Sequence, residues 1–468
     1  MQPDSPAALA RAKYWFNRCR PDVPVPADDP EHWYVDFDGQ SLRGERCTAT
    51  AASTINLAAH PTCQLFTGFQ GSGKTSELYR LIGVLERDEH FVVYADAQRS
   101  INLQDELAYP EVLITLGLAA GQAIDQLQEK SAAAQWARRF GEEVKSLLFS
   151  NVSLDKIKLP ITEIGIELKE NPSFRRSIQE AARGKRRQLI EQVRAFFSDA
   201  DRLVRANGFP GGLVVILDNL EKLSRSPEVQ ISAKRMFTNH WDALKAPGVH
   251  LIYTLPAPIV FSSIGPELGT LYDGEPLVLP MVKFSRREDG TAHPAGRRAM
   301  AELLLKRLDL AEVFGADMEP VDALVAHSGG YTRDLLRLAQ YAIQIGGQFP
   351  ITVAHVHAAV LKLRRSYVRA YSTTYHDLLA HVAANRPSVI PAELTPALED
   401  VIGNHFAMIY GNDDNWYDVH PLITHLLQEG AVPPPLTGAS SAAAPALPAG
   451  GATPALPAGA PAETHERR

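Results

Sequence analysis

The sequence predicts an α/β fold built on a parallel sheet, because short β-rich apolar runs alternate with helical patterns from Cys63 onward and a glycine-rich loop follows the first run. The runs are CQLFT at 63–67, FVVYADA at 91–97, LVVILD at 213–218, HLIYTLP at 250–256 and PLVLP at 276–280. Apolar segments of this length suit strands covered by helices on both faces. After position 285, GRRAMAELLLKRLDL, VDALVAHSGG and RDLLRLAQYAI carry apolar residues at three- and four-residue spacing, which predicts a small helical lid.

Around this core the chain divides by composition. Residues 1–60 read as an irregular arm rich in Pro and Asp, with one strand-like piece at Tyr34–Asp38. The core spans 61–285, and within it 131–208 reads as an insertion: VSLDKIKLPITEIGIELK alternates like a hairpin, and a long helix follows from Ser173. The lid covers 286–372. Residues 373–430 combine helical segments with FAMIY and WYDV around the turn residues GNDDN, a winged-helix-like pattern. From 431 to 468 the chain is Pro, Ala and Gly with PALPAG occurring twice, a composition expected to be disordered.

At 468 residues, 45% hydrophobic and 22% charged, the chain can bury a sizeable core. The net charge of −7 gives no overall attraction to nucleic acid or an anionic membrane. Three cysteines without a CxxC pair indicate neither a disulfide framework nor a zinc site. The N-terminus lacks an apolar leader pattern, and no apolar stretch is long enough to span a bilayer, so the expected location is the cytoplasm.

The chemistry concentrates in GFQGSGKT at 68–75, which fits G-x-x-x-x-G-K-[ST] in its required context of strand, loop and helix. Gly68, Gly71 and Gly73 let the backbone close around a phosphate, with Ser72 and Ser76 completing the loop and helix start. Lys74 is placed to neutralise β and γ oxygens, and Thr75 to ligate magnesium, so the predicted ligands are ATP and Mg2+. Asp218 ends the apolar run LVVILD and is the expected second magnesium carboxylate. Glu221 is the candidate general base for the attacking water. Thr254 closes the next strand as a candidate γ-phosphate sensor. Arg333 follows a Gly-Gly break at the start of a lid helix, where it can couple nucleotide state to lid position.

With these residues in place, a Walker A at Gly68–Thr75, a Walker B at Asp218 and a sensor-2-like Arg333, the chain resembles AAA+ proteins of the Cdc6/Orc branch and the related STAND ATPases over roughly 60–430. The resemblance implies a five-stranded parallel sheet and a helical lid that ATP closes to switch between signalling or loading states; slow hydrolysis is the expectation from the departures that follow, and a nucleotide-dependent oligomer is a further expectation. Two departures stand out. Asn219 occupies the place after the aspartate where many such proteins carry glutamate, and 236–284 contains no arginine to serve as a finger.

Arg175, Arg176, Arg183, Lys185, Arg186 and Arg187 offer a possible nucleic-acid stripe, although a solvated helix face explains them as well. Residues 374–430 carry eight acids against Arg386 alone, which disfavours a phosphate backbone there. The expected function is therefore a regulatory ATPase switch acting on a separate effector protein, in bacterial signalling or defence. The alternative is a DNA-binding initiator or loader. A small-molecule kinase fits less well, since lid and module exceed what phosphoryl transfer needs.

Overall fold

The computed structural model describes residues 5–127, 135–149, 161–412 and 414–428. Five strands match the five apolar runs: β1 (Cys63–Gly68), β2 (His90–Asp96), β3 (Gly212–Asp218), β4 (His250–Pro256) and β5 (Leu277–Leu279). They form one sheet in the order β2-β3-β4-β1-β5, parallel throughout.

Every residue of β3 is buried, which explains its unbroken apolar run. Its side chains alternate between two cores with the period of a strand. Val214 and Ile216 join Phe66 and Ile252 beneath helices Cys47–Leu57 and Lys74–Arg87. Val215 and Leu217 face the opposite side, beneath helices Tyr109–Leu127 and Arg186–Ala206. Register places Gly68 beside Pro256 and Leu217 beside Tyr253, so the carboxyl ends of β1, β3 and β4 meet at one edge. Open parallel sheets bind their ligands at that edge.

The N-terminal expectation needs correction. Residues 1–60 are not uniformly irregular: Pro6–Arg18 and Cys47–Leu57 are helices, and Tyr34–Asp38 forms no strand. Pro6–Arg18 starts with Ser5, whose side chain accepts from the Ala8 N–H, and with Pro6 at its first turn. Its Trp15 indole donates to Glu312 (3.0 Å) and Arg18 donates to the Arg307 carbonyl (2.7 Å), which docks it on the lid.

The insertion is also different from the hairpin expected. Ile161–Glu170 is a helix, while the rest of the proposed hairpin, at 152–160, lies outside the described residues. Alternation in ITEIGIELKE also satisfies a helix whose Ile164 and Leu168, four residues apart, point inward. The predicted long helix is two, Pro172–Gly184 and Arg186–Ala206, broken at Lys185. Phe140 and Phe196 close the core of this region with ring centroids 4.5 Å apart. The six cations do not form one free stripe. Arg175 is buried against Asp105, Arg186 pairs with Asp242 (2.5 Å), Arg187 pairs with Glu191 (2.8 Å) and Lys185 donates to the Leu147 carbonyl.

The lid contains helices Pro294–Leu305, Leu310–Phe314, Glu319–Ser328, Thr332–Gly346 and Val353–Ala370. It shares a single hydrophobic core with the N-terminal helix and the C-terminal module. That module holds helices His376–Asn385 and Leu398–Gly403 and the antiparallel pair β6 (Ala407–Gly411) and β7 (Asn415–Val419). The Met281 N–H donates to the Ile409 carbonyl (2.8 Å), so the hairpin is tied to the chain just beyond β5. Residues 429–468, which include the predicted tail, lie outside the described residues.

One buried carboxyl on the helix that faces the insertion carries a pH signature. Glu111, 1% exposed on helix Tyr109–Leu127, accepts from Gln179, and burial raises its pKa from 4.5 to about 7. The folded state thus holds a proton that the unfolded state releases, and stability falls as pH rises from 4.5 to about 7. Glu111→Gln is expected to be more stable than the parent by about 3 kcal/mol near pH 8. Urea unfolding should show that advantage disappearing below the ordinary glutamate pKa; an equal advantage at both pH values would contradict the assignment.

Candidate nucleotide site

The loop between β1 and helix Lys74–Arg87 is shaped by glycines in conformations closed to other residues. Gly71 and Gly73 have φ of 89° and 103°. Three successive loop carbonyls are tied outward. Tyr331 donates its hydroxyl to the Gln70 carbonyl, Thr332 donates to Gly71 O (2.9 Å) and Arg43 donates to Ser72 O (2.7 Å). With these carbonyls held away and the Ser72 N–H turned back to the Phe69 carbonyl (3.0 Å), the Gly71 and Gly73 N–H groups are left for the cleft, as in an anion-binding nest. Ser72 Oγ is buried without a partner among the described residues.

Lys74 is nearly buried, yet three acceptors surround its ammonium. It donates to the carbonyls of Gly68 (3.1 Å) and Phe69 (3.0 Å) and lies 3.4 Å from Glu221 Oε1. Thr75 donates to Asp218 Oδ2 (2.7 Å), and Tyr94 donates to the same oxygen (2.8 Å). Burial raises the Asp218 pKa, and the neighbouring Glu221 charge adds to the rise, while bonds from Thr75, Tyr94 and the Asn219 N–H oppose it. Two crowded carboxylates beside a hydroxyl are a donor set that suits a hard divalent cation, so Thr75 and Asp218 fit Mg2+.

The substitution of Asn219 now has a physical reason. Asn219 adopts a left-handed φ of 70°, turns toward β2 and donates to Asp96 Oδ1 (2.7 Å). The reversal begins the short turn Leu220–Lys222 and carries Glu221 back toward Lys74. The carboxylate beside the phosphate loop is therefore supplied three residues after Asp218, not one.

Thr254 is fully buried and does not line the cleft. Its hydroxyl donates to Glu221 Oε2 (3.1 Å) and accepts from the Leu220 N–H (3.2 Å), so it fixes Glu221 in place of touching a phosphate. Ser76 lines the cleft, but its hydroxyl accepts from the Val25 N–H (2.9 Å). Gly68 faces a neighbouring cleft instead. Arg333 does reach the loop: a Cβ at Gly71 would lie 2.1 Å from Arg333 Nε. Gly330, just before this helix, has φ of 75°, and a Cβ there would meet the Val282 carbonyl at 2.0 Å. The Gly-Gly pair is thus required by close packing of the lid start.

The cleft itself has a volume of about 300 Å³. Its floor is the phosphate loop, one wall is Arg333 and Leu336 of the lid, and the other is the N-terminal segment at Pro21–Val25 and Trp33–Phe37. Sequence reading missed this wall, along with Arg43, Tyr34 and Glu77. Arg43, 2% exposed, stands 3.4 Å from Glu77, and Tyr34 donates to the other Glu77 oxygen (3.0 Å). No local pattern marks these residues; the aromatic and acidic run WYVDFD was the sole signal.

No protein-family model and no curated protein matches the chain. Among solved structures it is similar to the crystal structure of Cdc6p from Pyrobaculum aerophilum, at 13% identity and a TM-score of 0.38, over 88% of this chain and 95% of that one. No helix among the described residues is long and apolar enough to cross a membrane. The mixed α/β architecture with its five-stranded parallel sheet is consistent with a P-loop nucleotide-binding core.

Gly71→Ala tests the contact between loop and lid. The new methyl would sit at a left-handed φ and displace Arg333, so nucleotide affinity is expected to fall at least tenfold (about 1.4 kcal/mol). A fluorescent-nucleotide titration reads this directly, and unchanged affinity would mean that Arg333 does not need its place on the loop.

Proposed function

We propose that this chain binds ATP with Mg2+ in the cleft and hydrolyses it slowly as a conformational switch that controls a separate effector protein. The reading is carried by one convergence: Lys74, Glu221 and Thr254 in hydrogen-bonded sequence beside the Thr75–Asp218 pair. Bound magnesium would supply charge neutralisation between the phosphates. Lys74 would exchange its loop carbonyls for β and γ oxygens, Thr75 and Asp218 would hold the cation, and Glu221, released from Lys74, would accept a proton from the attacking water. Thr254 holds Glu221 in the orientation this requires. The segment 21–37 would enclose the base.

Support for a switch comes from the lid. Tyr331, Thr332 and Arg333 all engage the phosphate loop, while Asp334, the next residue, accepts from Tyr367 (2.6 Å) and approaches His420 of the C-terminal module (3.3 Å). Motion of the loop on nucleotide exchange thus has a packed route to the module. Partner protein, nucleotide-dependent oligomerisation and a cytoplasmic place belong to this proposal. The DNA-loader alternative finds less support, since four of the six insertion cations are engaged within the protein and the module is acidic.

Two variants test the reading. Lys74→Ala is expected to lose ATP binding by about 100-fold or more, a charge-assisted loss near 3 kcal/mol. Glu221→Gln should bind ATP and accumulate the bound state with turnover reduced by roughly 100-fold. Affinity capture with Glu221→Gln against Lys74→Ala would then separate partners of the ATP state. Absence of ATP binding by the parent protein would overturn the proposal.

A further inference from the structure

We infer that Arg225 is the arginine that stabilises the transferring γ-phosphoryl group in cis, and that Asn404 of the C-terminal module holds it in reserve. The inference rests on the ATPase reading and adds a catalytic residue to it.

A second cleft of about 300 Å³ is lined by Gly68, Phe69 and Gln70 of the loop together with Arg225 and Asn404. The two clefts share Gln70, Glu221 and Lys222, so the second opens onto the carboxylate that faces Lys74. Lys74 Nζ marks where β and γ oxygens would lie. The γ end of the nucleotide therefore sits at the partition between the clefts, with Arg333 approaching from the lid side and Arg225 lining the far side.

Arg225 follows the Glu221 turn by four residues and is exposed. Its Nη1 donates to Asn404 Oδ1 (3.0 Å), and no carboxylate forms an ion pair with it among the described residues. Lys234, which reaches the same module helix, is by contrast matched by Glu399 at 2.6 Å. Partial burial works against the Arg225 charge and Asp400 of the module attracts it through space, so its hold on the module is one amide hydrogen bond and an attraction without ion-pair contact. The module is well placed to control it. Helix Leu398–Gly403 packs against the Ala257–Val260 turn that follows β4, and His405 lies edge-on to Phe69 of the loop at 5.2 Å between ring centroids.

In the step concerned, water oxygen bonds to the γ-phosphorus as the bond to the β–γ bridging oxygen breaks. ADP leaves with the bonding electron pair, and the water proton passes to Glu221. Charge builds on the phosphoryl oxygens, where Lys74, having exchanged Glu221 and the loop carbonyls for β and γ oxygens, supplies one cation from the loop side. A guanidinium entering from the second cleft supplies the missing positive charge, an effect worth about 1,000-fold or more where arginines do this elsewhere. Rotation of the module away from Asn404's present position would free it.

The test uses the full-length protein and compares Arg225→Ala, Arg225→Lys and Asn404→Ala with the parent. Steady-state kinetics give kcat and KM, and titrations give affinities for ADP and a slowly hydrolysed ATP analogue. Arg225→Ala should lower kcat by at least about 100-fold with ADP affinity unchanged, and Arg225→Lys should recover little, because a point charge does not reproduce the planar fork. Asn404→Ala should raise kcat several-fold. A kcat for Arg225→Ala within threefold of the parent would overturn this assignment alone, as would parallel loss of ADP binding and thermal stability. A parent protein that binds no nucleotide would overturn the ATPase reading with it.

Discussion

A buried ammonium sets the geometry of this protein. The Lys74 side chain is 2% exposed, and an unpaired charge at that depth would cost several kcal/mol. Two loop carbonyls and Glu221 compensate it. Glu221 belongs to the turn after β3, and Thr254 at the end of β4 fixes it. These groups meet only if β4 lies between β1 and β3 with the three carboxyl ends level. The sheet order and the site therefore depend on one another.

The same constraint explains why the loop is held from outside. A backbone that turns its N–H groups toward an anion must dispose of its carbonyls, and buried carbonyls need donors. Arg43, Tyr331 and Thr332 provide them from parts of the chain far apart in sequence. Arm, core and lid are consequently joined at the loop. Both walls of the cleft thus contact the loop, and Asp334, the residue after Arg333, lies 3.3 Å from His420 of the C-terminal module.

The strands were legible because β1 to β5 are short, apolar and flanked by turns, and a fully covered strand has no alternative use for such a run. The loop glycines, Lys74 and Thr75 could be proposed together because their spacing is local, and Asp218 because it ends a buried apolar strand. Thr254 was found for a different reason than the structure gives it: a buried hydroxyl at a strand end looks the same whether it meets phosphate or the Glu221 carboxylate. The hairpin expected before Ser173 failed where the alternation of ITEIGIELKE also matched one face of a helix.

The sequence by itself determined that this protein carries a glycine-rich loop between a strand and a helix of a parallel sheet, since glycine, lysine and threonine at fixed spacing act through the backbone they occupy. Only the tertiary structure decided which residues complete the site. Glu221 reaches Lys74 because Asn219 turns left-handed toward Asp96, and Arg43, Tyr34 and the segment 21–37 reach the cleft across tens of residues of chain. Such contacts are set by how elements pack, and packing brings together positions that no local pattern relates.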